Sequence, residues 1–180
     1  RSGAYTQDII EALRKRGEIF EILDSFKTKD QTKSAEQLAA EHDEEKARYN
    51  PVSVFCPVCH TDFTTITSLS EDCTEADYVC RCGHKGHFNF LDNFNCKLGW
   101  KVDWAMRWRY ENVDFEPGGI DHAAASGSYV VASDIARKIL GVEPPMFQGY
   151  GWLSIAGLGD MHSSTGNNIT PANILKVYEP

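Results

Sequence analysis

Apolar residues recur at three- and four-residue intervals from Ala4 to Phe26, at Ile9, Ala12, Leu13, Ile19, Phe20, Leu23 and Phe26, while Arg14, Lys15 and Glu18 fill the opposite face. The spacing predicts an amphipathic helix with a break or bend at Gly17, since glycine costs a helix about 1 kcal/mol relative to alanine. Lys27 to Asn50 is charged and poor in large apolar side chains. Within it, Ser34-Ala35-Glu36-Gln37 places a capping hydroxyl three residues before a glutamine, so a second, solvent-facing helix starts at Ser34 and ends before Pro51.

Between Val52 and Phe90 the pattern changes to short β-branched and aromatic runs, such as Phe63-Thr64-Thr65-Ile66-Thr67 and Tyr78-Val79, separated by turn-prone and acidic residues. These predict a small antiparallel β module too thin to hold a core of its own. Further on, Val102 to Tyr110 reads as a tryptophan-rich helix, Val113 to Phe115 as a short strand and Pro117-Gly118-Gly119 as a sharp turn. Ser133 to Leu140 reads as a helix capped by Ser133 or Asp134, Met146 to Ala156 as β-like, Gly157 to Asn168 as a loop and Pro171 to Val177 as a last helix. The order suits part of an α/β sheet. It divides the chain into a helical segment (1–50), a small β module (51–95) and an α/β unit (96–180).

The chain has 180 residues, 42% hydrophobic and 24% charged, enough for one medium domain or a core with a small satellite. Eighteen Lys and Arg face 26 Asp and Glu, a net charge of −8, which excludes a uniformly basic surface that holds nucleic acid by phosphate neutralisation. Any RNA contact is expected to be local. No apolar run approaches the roughly 20 residues that cross a bilayer, and no positive-then-apolar leader opens the sequence, so the expectation is a cytoplasmic protein without membrane or DNA partners. The chain opens at Arg1 as though already entering a helix, which leads us to expect a piece of a longer polypeptide.

All six cysteines fall between Cys56 and Cys96, which favours metal over disulfides. Cys56, Cys59, Cys80, Cys82 and His84 form C-x2-C-x20-C-x-C-x-H. Thiolates at i and i+3 on a tight turn supply two corners of a zinc tetrahedron without backbone strain. The second half offers three candidates for two corners: Cys80 with Cys82, Cys80 with His84, or Cys82 with His84. Cys80 is the preferred member; Cys82 and His84 stay open. Four filled corners leave no open position, so one structural Zn2+ is expected, stapling a core too small to fold alone. His60, His87, Cys73 and Cys96 lack the spacing and read as bystanders.

Val113-Asp114-Phe115-Glu116-Pro117-Gly118-Gly119-Ile120-Asp121-His122 sets two glycines, an acid and an imidazole directly after a strand. In open α/β sheets ligands bind beyond the carboxyl ends of strands, where glycine admits a ribose or phosphate and a carboxylate holds ribose hydroxyls. Upstream lies Trp100-Lys101-Val102-Asp103-Trp104-Ala105-Met106-Arg107-Trp108, and downstream Gly159-Asp160-Met161-His162-Ser163-Ser164-Thr165-Gly166-Asn167. These blocks, with the pair Ser128-Tyr129, resemble the class I lysyl-tRNA synthetases in order and spacing over nearly the whole chain.

The resemblance implies a partial Rossmann-type domain with a zinc-ribbon-like β insertion and N-terminal helices. It also implies an activity in two steps: lysine and ATP give lysyl-adenylate and pyrophosphate, and the lysyl group then passes to tRNA(Lys), with Mg2+ accompanying ATP. Carried over by position, Trp100, His122 and Tyr150 belong to the lysine pocket, and Gly119 and Asp121 stand beside the adenylate ribose. An aromatic wall suits the aliphatic stem and ammonium of lysine, and Trp104 and Trp108, at helical spacing from Trp100, are expected to pack in the core. Met161, Ser163, Ser164, Gly166 and Asn167 correspond to the mobile signature that stabilises departing pyrophosphate. Here Asp160, Ser163 and Thr165 replace lysines frequent in that signature, and an aspartate repels developing phosphate charge. This departure motivates an alternative, a synthetase-like module that binds an amino acid or a partner without catalysis. The family's His-x-Gly-His signature does not occur in these 180 residues, and its anticodon-reading domain is expected after Pro180. The 180 residues alone are therefore expected to be inactive.

Overall fold

The computed structural model describes residues 2–152, 154–157, 159–161, 166 and 168–177. The amphipathic N-terminal stretch forms α1 (Thr6–Arg14) and α2 (Arg16–Ser25), burying Ile10, Ala12, Leu13, Ile19, Phe20 and Ile22. Their interruption falls at Lys15 and not at Gly17. The Lys15 backbone leaves helical geometry (φ −95°, ψ 15°) while its ammonium reaches Glu11 Oε1 at 3.0 Å and the Ile139 carbonyl at 2.7 Å. Helix α3 (Ala35–Arg48) has the expected capping box: Gln37 N–H donates to Ser34 Oγ at 3.2 Å, and Ser34 N–H donates to Gln37 Oε1 at 3.0 Å. It buries no side chain, as its charged sequence requires.

Strand β1 (Val52–Val54) opens the β module. Strands β2 (Thr64–Leu69), β3 (Glu75–Cys80) and β4 (Lys85–Asn89) form an antiparallel meander, with a register shift between Ile66 and Ser68, and β5 (Cys96–Leu98) returns to pair antiparallel with β1. Along β3, Ala76, Tyr78 and Cys80 alternate inward. The module has no separate core. Its Ile66, Ala76, Tyr78, Phe88 and Phe90 join one apolar cluster with Ile10 and Leu13 of α1.

That cluster continues into α4 (Trp100–Glu111), which buries Val102, Trp104, Ala105, Met106 and Trp108 and ends at Asn112 in the left-handed conformation (φ 51°). Trp104 and Trp108 therefore pack in the core as expected. Arg109 on α4 donates to Asp8 and Glu11 of α1, tying the first helix to the α/β unit.

Next comes β6 (Phe115–Gly119), so Pro117-Gly118-Gly119 is strand and not a turn. The reason lies in its neighbour. After a 3₁₀ turn (Ile120–Ala123) and α5 (Ser128–Ile135), which passes into a π-helical turn (Ala136–Leu140), β7 (Met146–Tyr150) runs parallel to β6 with Gly118 opposite Gly149. A Cβ on Gly118 would meet the Phe147 ring at 2.7 Å, and one on Gly149 would meet Ile120 Cδ1 at 2.5 Å. The glycines thus serve close packing. Parallel strands require a crossover, and α5 supplies it.

Helix α5 begins at Ser128 after Gly127, five residues earlier than the sequence predicts. Ser133 is no cap: it is buried inside the helix and its hydroxyl donates to the Tyr129 carbonyl at 2.7 Å. The remaining elements are a short antiparallel pair, β8 (Ser154–Ile155) and β9 (Gly159–Asp160), and α6 (Pro171–Ile174), shorter than expected. Among the described residues no helix is long and apolar enough to cross a membrane.

Candidate functional site

Two sites emerge. At one end of the β module, the turn after β1 carries Cys56 and Cys59, and the β3–β4 turn carries Cys80 and Cys82. In the first turn, His60 N–H donates to the Cys56 carbonyl at 2.9 Å and Cys56 N–H to the Thr61 carbonyl at 2.9 Å, with His60 at φ 59°. In the second, Gly83 N–H donates to the Cys80 carbonyl at 2.8 Å, and Gly83 takes φ 92°, a conformation glycine adopts without strain.

The two turns bring the four sulfurs within 4.8 Å of one another. Cys56 and Cys82 stand 3.7 Å apart and Cys59 and Cys80 3.5 Å, near the roughly 3.8 Å edge of a tetrahedron with metal–sulfur bonds of about 2.3 Å. The donor set can hold a metal ion. The Thr61 hydroxyl beside Cys59 holds that thiol down to about 6, toward the thiolate that metals bind.

The choice between Cys82 and His84 falls to Cys82. The His84 ring lies against Tyr78, with centroids 6.0 Å apart, and its backbone carbonyl accepts the Cys80 N–H at 2.8 Å. The residue supports the turn without joining the sulfur group. Cys73, Cys96, His60 and His87 also stand outside that group.

The second site lies past the carboxyl ends of β6 and β7. Gly119, Asp121, His122, Tyr150, Gly151, Trp152 and Met161 line a crevice of about 280 Å³. Parallel pairing puts Gly119 opposite Tyr150, and the 3₁₀ turn immediately after β6 swings Asp121 and His122 to the same end, with His122 Nδ1 4.0 Å from Asp121 Oδ2. Gly119 gives the bare backbone of the floor, Asp121 a carboxylate, and Tyr150 and Trp152 two exposed rings. Gly151 and Trp152 were not singled out by sequence, although Trp152 continues the aromatic run begun by Tyr150.

Trp100 is not in the wall of this crevice. Its exposed indole stacks on Trp104 (centroids 5.0 Å apart, 26° between planes), and Trp104 in turn meets His122 edge to face at 5.4 Å. Trp100 and His122, two of the three rings assigned to lysine, are thus linked through Trp104, which the sequence places only in the core. A further acid was missed: Glu116 Oε2 accepts from both Trp104 Nε1 at 3.0 Å and Trp108 Nε1 at 2.8 Å.

Of the signature residues, Met161 lines the crevice, and Gly166 is exposed with φ 71°. Asp160 ends β9 and accepts the Ser154 hydroxyl at 2.6 Å. Ser163, Ser164, Thr165 and Asn167 lie outside the described residues.

The model of the family described as tRNA synthetases class I (K) matches residues 1–180. The lysine–tRNA ligase of Streptomyces coelicolor is 37% identical over 99% of this chain and 34% of its own length. The lysine–tRNA ligase of Borreliella burgdorferi is 35% identical over 99% of this chain and 32% of its own, and that of Thermococcus kodakarensis 35% over 100% and 32%. The chain thus spans about a third of the length of these curated relatives. A match of the family model from the first residue to the last, over a parallel strand pair with its site at the carboxyl ends, leads to one conclusion: the chain belongs to the class I (K) tRNA synthetases.

Proposed function

We propose that the chain is part of a lysine–tRNA ligase, working in the cytoplasm, that activates lysine with ATP to lysyl-adenylate and transfers the lysyl group to tRNA(Lys). One observation carries the reading: Gly119, Asp121, His122, Tyr150 and Met161 converge on one crevice past two parallel strands, where nucleotides bind in open α/β sheets. Gly119 lets the adenylate ribose approach the backbone, and the Asp121 carboxylate accepts its hydroxyls. The Tyr150 phenol and the His122 imidazole offer polar edges on the lysine side, and we assign the exposed Trp100 indole, which stacks on Trp104 outside the crevice wall, to the rim of that pocket.

In the first step the lysine carboxylate attacks the α-phosphorus of ATP and pyrophosphate leaves. Ser163, Ser164, Asn167 and the backbone around Gly166 are the groups of this chain suited to hydrogen-bond the departing phosphates. Mg2+ arriving with ATP supplies the charge neutralisation that Asp160 cannot. The alternative, a non-catalytic binding module, drew its support from Asp160; the names of the curated relatives favour the ligase.

We assign Zn2+ to Cys56, Cys59, Cys80 and Cys82, a closed set of four thiolates whose role is to join two turns. We also assign residues 1–50, 51–95 and 96–180 to a helical connecting segment, a zinc-bearing β module and the C-terminal half of the nucleotide-binding domain. The test of the function is lysine-dependent exchange of pyrophosphate into ATP by the full-length parent. Exchange is expected; none from a folded parent rejects the reading.

A further inference from the structure

We infer that Glu116 sets the preference of the crevice for a cationic side chain, acting through Trp104. The inference rests on the proposed lysine site and adds to it a residue outside the crevice wall. Glu116 is half-buried on β6, and its carboxylate is bound by two indole N–H groups, Trp104 Nε1 at 3.0 Å and Trp108 Nε1 at 2.8 Å. Among the described residues no lysine, arginine or histidine pairs with it. A carboxylate partly withdrawn from water without a counter-ion is costly, and its two neutral donors leave the negative charge in place.

That charge lies on the α4 face of β6, against Trp104 and Trp108. Side chains alternate along a strand, so Glu116 shares a face with Gly118, and a Cβ on Gly118 would lie 3.8 Å from His122 Cδ2. Trp104 bridges the remaining gap: its N–H binds the carboxylate while its ring meets the His122 ring at 5.4 Å and 73° and carries Trp100 stacked at 5.0 Å. An indole N–H given to an anion makes the ring a stronger partner for a cation, and the carboxylate adds its own field. An ammonium on the far side of His122 and Trp100 gains from both; a neutral side chain gains from neither. Trp108 serves as the internal control. It makes the same hydrogen bond to Glu116, yet its ring neighbours are Trp104 and Tyr129, and no wall of the crevice.

The experiment uses the full-length parent and pyrophosphate exchange, with lysine as substrate and norleucine, its neutral analogue, as competitor. Glu116→Gln keeps the volume and one acceptor oxygen but removes the charge. It is expected to raise the lysine KM about tenfold, corresponding to about 1.4 kcal/mol, while kcat, the ATP KM and the norleucine inhibition constant stay within about twofold. Trp104→Phe removes the N–H and keeps a ring, and raises the lysine KM by roughly threefold or more; Trp108→Phe leaves it within about twofold. An unchanged lysine KM in Glu116→Gln overturns the proposal, as do equal effects of Trp104→Phe and Trp108→Phe. Should Glu116→Gln not fold, the two tryptophan variants decide. Absence of lysine-dependent exchange in the unaltered parent overturns the functional reading and this proposal with it; exchange with an unshifted lysine KM overturns only the proposal.

Discussion

The sulfur of Cys59 stands 3.5 Å from that of Cys80, although 21 positions separate them in sequence. With Cys56 and Cys82 they form a closed four-thiol set. Purified protein is expected to hold about one zinc per chain, and a chelator is expected to lower its thermal midpoint, because metal binding in small modules is folding energy. Cys82→Ser should strip the metal, whereas His84→Ala should keep it. Elemental analysis of the two variants checks this, and the reverse pattern would return His84 to the ligand set.

Gly127 packs against the backbone of the turn that carries His122. A Cβ on Gly127 would fall 2.3 Å from the His122 carbonyl oxygen and 2.7 Å from that of Asp121. The obstacle is backbone and cannot rotate away. Gly127→Ala must therefore displace the turn that carries both crevice residues, at an overpacking cost of about 1–3 kcal/mol. A thermal midpoint lowered by roughly 2–4 °C for each kcal/mol is expected, together with weaker lysine binding by the parent. An unshifted melt would mean that the turn can absorb the methyl group.

How much of this was legible depended on range. The Ser34–Gln37 capping box lies within four residues and was read correctly, as was core packing of Trp104 and Trp108, one helical turn apart. Pro117-Gly118-Gly119 reads as a turn in sequence because Gly118 answers a demand from Phe147 on another strand. Ser133 was misread as a cap because a serine that bonds back to the Tyr129 carbonyl four residues earlier looks, in sequence, like one that starts a helix. Cys82 and His84 differ by two positions on one turn, and only the pairing of β3 with β4 and the approach of the Cys56 turn separate them. Glu116 carried no local signal, since its two donors come from 8 and 12 residues upstream on α4.

Stability below neutral pH should depend on Glu11. Burial raises its pKa, but hydrogen bonds from Arg109 and Lys15 outweigh burial and hold the carboxyl below its ordinary 4.5. A depressed carboxylate contributes stability that is present above the unfolded-state value and lost as pH falls through the folded-state value. The contact between α1 and α4 is therefore expected to weaken as acid is added below about pH 4.5. Glu11→Gln should remove this share at neutral pH and flatten the acid limb. Denaturant unfolding across pH reads both slopes, and parallel slopes for the variant and the parent chain would assign the acid sensitivity elsewhere.

Gly119→Ala separates binding from folding. Gly119 has φ −57° and ψ 136°, which alanine adopts freely, and the atom its Cβ would meet is Asp121 Oδ1 at 2.5 Å, the movable end of a half-exposed side chain. The fold therefore adapts by turning one carboxylate aside. Such a change is expected to leave the thermal midpoint within about 1 °C, since surface substitutions of this kind stay near ±0.5 kcal/mol. The added methyl group and the displaced carboxylate both stand where the adenylate ribose is proposed to lie. The ATP KM of the parent should consequently rise about tenfold or more, with the lysine KM changed far less. Equal rises for both substrates would place Gly119 and Asp121 on the lysine side, and a collapse of the melt would show that the glycine serves packing as Gly118 does.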